Sequence, residues 1–106
     1  MNAFPRLSDS EIQELASKIP SGNKWPQSFY LEILLSKNSP FSSHDSLADR
    51  LAAHFGNKSI KSNERSALIG LIPALLQHFR SNGVINDAVY DLEYERLKSI
   101  LSSKSP

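Results

Sequence analysis

No cysteine occurs anywhere in the chain, which excludes disulfides, thiolate metal sites and thiol catalysis. Glycine is scarce, at four residues, so a phosphate-cradling loop has little to be built from. None of the motifs G-x-x-x-x-G-K-[ST], G-x-G-x-x-G or G-x-S-x-G is present. No apolar run approaches the roughly 18 residues of a membrane span. Residues 1–6 lack the basic start and apolar stretch of a secretory signal. With the missing thiols, this gives the expectation of a reducing, cytoplasmic setting. An excess of one charge sign is missing too: 12 Lys+Arg stand against 11 Asp+Glu, a net +1. A committed nucleic-acid binder carries a far more basic surface. Alternating apolar and polar residues, the mark of a half-buried strand, are not found, and there is no internal repeat.

What the chain does have is enough for one domain: 106 residues, of which 40% are hydrophobic. Serine is abundant, at 18 residues, but Leu, Ile and Phe recur throughout. The serines are therefore read as caps and solvated surface rather than as disorder. Charge is unevenly spread. Residues 1–49 sum to −2 and residues 81–106 to −1. Between them, residues 50–80 carry Arg50, Lys58, Lys61, Arg65 and Arg80 against Glu64 alone, a sum of +4.

Five helices are predicted, packed as an all-α bundle with an ordered core over about 7–101 and a frayed tail at 102–106. Ser8-Asp9-Ser10-Glu11 is a capping box, with Leu7 and Ile12 at the spacing of a hydrophobic staple. Ile12, Leu15, Ala16 and Ile19 then share one face, and Pro20-Ser21-Gly22 stops the helix. A second helix is predicted over about 26–37, with Pro26 at its first position. Its polar stripe is narrow (Ser28, Glu32, Ser36), as expected of the most buried helix or of one that also meets a partner. Ser42, Ser43 and Asp45 offer caps for a third helix over about 43–55. Its inner face would be Leu47, Leu51, Ala52 and Phe55, with Asp49 and Arg50 pointing outward and Gly56 as a left-handed cap. Ile60 is expected to anchor the polar loop that follows. The fourth helix, about 63–81, is strongly apolar but contains Pro73, which predicts a kink near Gly70 or two helices meeting there. Asn86 caps the last helix, with Val89, Tyr90, Tyr94, Leu97, Ile100 and Leu101 as its buried stripe.

Catalytic or metal-binding constellations are hard to assemble from these residues. His44, His54 and His78 form no H-E-x-x-H motif, and no two of them are spaced i, i+4 on one helix. His54 and His78 each precede a phenylalanine and read as boundary residues of an apolar face. Asp45 and Asp49 read as acids answering a helix dipole rather than as a cation site. The expectation is a protein that is not an enzyme, has no cofactor or metal, and acts by binding.

Three binding readings follow. In the first, favoured one, the chain binds and regulates or inhibits a larger protein partner, in the manner of inhibitor, immunity or adaptor proteins. Trp25 and Phe41, aromatics placed in loops, are its candidate anchors. In the second, Leu51-Ala52-Ala53-His54-Phe55-Gly56 resembles the first helix and turn of a helix-turn-helix unit. That resemblance implies DNA binding through the segment 46–65, with Arg50, Lys58, Lys61 and Arg65 against phosphates. The second half departs from the pattern: Asn57, Ser62 and Arg65 stand where apolar residues belong. In the third, Asp45-Ser46-Leu47 resembles the D-S-L site of acyl carrier proteins, which implies modification of Ser46 by phosphopantetheine. The glycine usual before that motif is missing, and the residues after it are basic rather than acidic. A homodimer is also weighed, because the apolar faces of helices 26–37 and 63–81 are wide for so small a core. The candidate partner-binding residues are thus Trp25, Phe41, Arg50, Lys58, Lys61 and Arg65.

Overall fold

The computed structural model describes residues 4–19 and 24–103, the side chains of residues 24–26 excepted. Five helices follow one another: α1 (Asp9–Lys18), α2 (Lys24–Leu35), α3 (Leu47–Phe55), α4 (Ser62–Ser81) and α5 (Asp87–Ser103). Among the described residues there is no strand, only an isolated parallel bridge between Leu7 and Ser36. The radius of gyration is 12.7 Å, close to the ~13 Å of one compact domain of this length.

Local chemistry sets the helix boundaries. At α1 the Ser8 hydroxyl accepts from the Glu11 N–H at 3.3 Å, and the Glu11 carboxylate accepts from the Ser8 N–H at 3.0 Å. The bond from the Ser8 N–H and, after it, the Ser8 hydroxyl donating to the same carboxylate at 2.9 Å hold the Glu11 pKa below the ordinary carboxylate value. The stop expected at Pro20-Ser21-Gly22 lies outside the described residues. α2 begins two residues before its predicted start, so Pro26 is its third residue rather than its first. The first turn tolerates this, because its N–H groups have no intrahelical partner. α3 begins at Leu47 instead of near residue 43, and its cap is Ser46, whose hydroxyl accepts from the Asp49 N–H at 3.0 Å. Residues 37–43 form turns instead, two of them closed by the Ser39 and Ser42 N–H groups. Gly56 ends α3 at φ 55° and ψ −117°, a positive φ that favours glycine but not the left-handed helical value expected. α4 runs unbroken through Pro73, so it is one helix rather than two. At α5 the Asn86 side-chain oxygen accepts from the Val89 N–H at 2.9 Å, and the helix extends to Ser103, into the stretch expected to fray.

Four helices close a ring around the core in the order α2, α3, α5, α4, and α1 packs on α2. α2 touches α1, α3 and α4, while α5 touches α3 and α4. The core holds Leu31, Leu34 and Leu35 of α2, Leu47 and Leu51 of α3, Leu68, Leu71, Leu75 and Leu76 of α4, and Leu97 of α5. Each such leucine stabilises the fold by roughly 1.5–3 kcal/mol. Ile60 is fully buried and pins the α3–α4 loop, as expected. The wide apolar faces are largely used up inside the fold. Only Ile69 of the large apolar residues of α4 is exposed, and only Phe29 of those described on α2.

The N-terminal segment belongs to the core, which had been expected to start at residue 7. Phe4 is buried with its ring 5.9 Å from that of Phe79. Its N–H donates to the Asp45 carbonyl, and Leu7 bonds through its backbone to Leu35 and Lys37.

Arg50 corrects the sequence reading most sharply. Expected on the outer face as a partner-binding residue, it is 1% exposed. It lies one turn after buried Leu47, where four backbone carbonyls converge. Its guanidinium donates to Leu34 (2.6 Å), His44 (2.7 Å), Phe4 (3.1 Å) and Pro5 (3.3 Å). Leu34 is at the C-terminal end of α2, where carbonyls lack helical partners and the dipole is negative. Burial, then the nearby Arg6, lowers the Arg50 pKa, and Asp45 and Glu93 oppose that shift. An arginine stays charged throughout, so this cation is a staple between three segments.

Candidate functional site

The aromatic residues gather where α2, α3 and the turn between them meet. His54, in the last turn of α3, is half-buried, and four rings meet its imidazole edge to face. Phe29, Tyr30 and Phe41 have ring centroids 5.7 Å from it, and Phe55 is at 4.9 Å. Phe29 and Tyr30 are neighbours on α2 at 5.2 Å. The inward rings are Tyr30 and Phe55, both buried; the outward ones are Phe29, 38% exposed, and Phe41, half-buried. Offset and edge-on ring pairs of this kind contribute roughly 0.5–1.5 kcal/mol each beyond the area they bury.

Tyr30 and Glu64 fix this surface from beneath. The Tyr30 hydroxyl donates to one Glu64 carboxylate oxygen at 2.6 Å. The other oxygen accepts from the Lys61 N–H at 3.1 Å, capping α4. One carboxylate thus ties the start of α4 to α2. Burial, reinforced by the hydrogen bond to Glu64, raises the Tyr30 pKa well above the ordinary phenol value. For Glu64 burial pushes upward, but the bonds from Tyr30 and Lys61 outweigh it and the net shift is down. Burial lowers the His54 pKa, Lys58 adds to that, and Glu64 opposes it.

The sequence-predicted residues divide around this surface. Phe41 belongs to it. Lys58 and Lys61 are exposed at its edge, close enough to act electrostatically on His54 and Glu64 respectively. Arg65 follows Glu64 on α4 and is half-buried. Arg50 is elsewhere, in the core. The side chain of Trp25 is outside the described residues; its backbone is one helical turn before Phe29 on α2. Phe29, Tyr30, His54 and Glu64 were not singled out as a group. The spacing of Lys61 and Glu64 was a signal, since a glutamate three residues after a cap commonly reaches back to it.

The segment 46–65 does not form a tight helix-turn-helix unit. Residues 56–61 separate α3 from α4, against a turn of about 3–4 residues in that motif. The two helices also do not pack directly on each other.

Ser46 sits in a polar network at the start of α3. Its hydroxyl accepts from the Asp49 N–H and from Arg96 at 3.2 Å. Buried Glu93 accepts from the Ala48 N–H at 3.1 Å and from Arg96 at 3.2 Å, and Arg96 also pairs with Asp49. Asp45 pairs with Arg6. The two aspartates therefore work as ion-pair partners at a helix start. Among the described residues no group of three His, Asp or Glu side chains is placed to hold a metal ion, and no helix is long and apolar enough to cross a membrane.

The chain matches no protein-family model, and neither the curated proteins nor the solved structures contain a match to it.

Proposed function

We propose that this protein acts without catalysis, by binding and regulating a larger protein partner through the aromatic surface of Phe29, Phe41 and His54. The observation that carries the reading is the arrangement of the rings around His54. Large, stiff aromatic side chains are held in place from below by the Tyr30–Glu64 bond and left partly open to solvent. Preordered aromatic anchors lose little side-chain entropy on docking, and they dominate the energetics of protein interfaces. The DNA reading has less support, because α3 and α4 are joined by a long loop and Arg50 is turned to the core. Ser46 has its oxygen engaged by two donors, which favours a capping role over that of a carrier site.

Affinity purification of the tagged chain from its source cells, with and without nuclease, tests the reading. A protein partner is expected to survive nuclease treatment and to be lost from Phe41→Ala, an anchor truncation that costs roughly 2 kcal/mol or more at such a site. Protein partners that disappear with nuclease, leaving retained nucleic acid, would reverse the ranking of the two readings.

A further inference from the structure

We infer that the cleft between α1, α2 and α4 binds a small, uncharged, mainly apolar molecule that brings an N–H or O–H donor to Gln27. The cleft shares no residue with the aromatic surface and is independent of the protein-binding reading. Gln27, on α2, is 6% exposed, and its side-chain oxygen has no hydrogen-bond partner among the described residues. That is the exception in this core, where buried Arg50, Glu93 and the Tyr30 hydroxyl are all bonded. An acceptor taken out of water and given no donor costs free energy, which a donor bound beside it would recover. Space for such a donor is present. Gln27 lines a cleft of about 210 Å³ with Ile19, Leu31 and Leu71, which are buried and apolar, and with exposed Ser17 and Ser28. The Ser17 hydroxyl is already donated to the Glu14 carbonyl. The Gln27 amide nitrogen lies toward α4, where a Cβ on Gly70 would be 3.6 Å from it. The terminal torsion of glutamine is soft, so a small turn brings the oxygen to a donor in the cleft. Water suits the place poorly, since it needs several polar partners and the buried wall offers Gln27 alone. A cavity of about 150 Å³ takes benzene, so this cleft suits a molecule of roughly nine non-hydrogen atoms. None of the residues lining it is ionisable, which selects against a charged ligand.

The test uses the full chain and two probes of one shape, indole and benzofuran, read by titration of amide chemical shifts. Indole donates through its N–H; benzofuran has an oxygen there and no donor. Indole is expected to move the backbone amides of Ile19, Gln27, Leu31 and Leu71 together with the Gln27 side-chain amide signals. It should bind roughly tenfold more tightly than benzofuran. Gln27→Leu, its fold checked by circular dichroism, should erase that difference by weakening indole and not benzofuran. Equal binding of the two probes by the wild type would overturn the inference whatever the variant does, because Gln27 would then play no part. A preference for indole that survives the substitution would do the same. Shifts confined to Phe29, Phe41 and His54 would overturn it too, since the ligand site would then be the aromatic surface. No shift with either probe at millimolar concentration would leave Gln27 to water, and the cleft would not be a site.

Discussion

Arg50 shows what a residue's position can conceal. A lone arginine beside Asp49 reads as surface, because burying an unpaired cation is costly. No periodicity in the sequence says that the end of α2 and the first residues of the chain will bring four carbonyls to the same place. Phe4 was illegible for the same reason: its burial depends on where the N-terminal segment lies, not on any local pattern. The consequence is measurable. Arg50→Ala leaves those carbonyls without their donor and is expected to destabilise the fold by about 3–5 kcal/mol in urea unfolding. Arg50→Lys should recover less than half of that, because one ammonium cannot reproduce the planar fork that reaches Leu34, His44 and Phe4 together. A loss under about 1 kcal/mol for the alanine variant would mean that water satisfies these carbonyls and that the staple is dispensable.

Helices were more legible than single side chains, because their signals are local. Ser8 with Glu11, Asn86 and the apolar faces of α4 and α5 can all be read within a few turns. The start of α3 was misplaced because Ser42, Ser43, Asp45 and Ser46 are all plausible caps. The choice fell to Ser46, where Glu93 and Arg96 of α5 complete the site. Ser46→Ala is expected to cost about 1 kcal/mol of stability, the usual value of a lost cap. α4 poses the opposite problem, since its proline is plain in the sequence but does not divide the helix. Pro73 has no N–H to return to the Ile69 carbonyl, on a part of α4 where Ile69 itself is 55% exposed. Pro73→Ala restores that donor and is expected to raise stability by about 1–3 kcal/mol. A fall in the urea midpoint would instead show that the ring's packing beside Ile72, Tyr94 and Leu101, with which it lines a cleft, outweighs the missing bond.

At the scale of the molecule, helical periodicity and the lack of strand alternation pointed to the all-α class, but the aromatic surface comes from the fold. Phe29, Phe41, His54 and Glu64 lie on three helices and a turn, and only packing brings them together. That packing links stability to pH, with His54 as the reporter. Its folded pKa lies below the ordinary value of 6.5. The unfolded chain therefore binds a proton there more readily than the folded one. Stability from this group is fully present above about pH 6.5 and is lost as pH falls toward the lower folded value. Glu64 acts in the same direction further down, because its folded pKa lies below the ordinary 4.5. Its contribution is present above that value and is lost as pH drops through the folded one. Urea midpoints followed from pH 8 downward are expected to fall from about pH 6.5 and again below about pH 4.5. His54→Gln, which cannot take up a proton, should flatten the first decline relative to the wild type while leaving the second. Should the two proteins run parallel through the first window, the rings would not be holding His54 in its neutral form. The aromatic surface would then be more open to water than its geometry indicates.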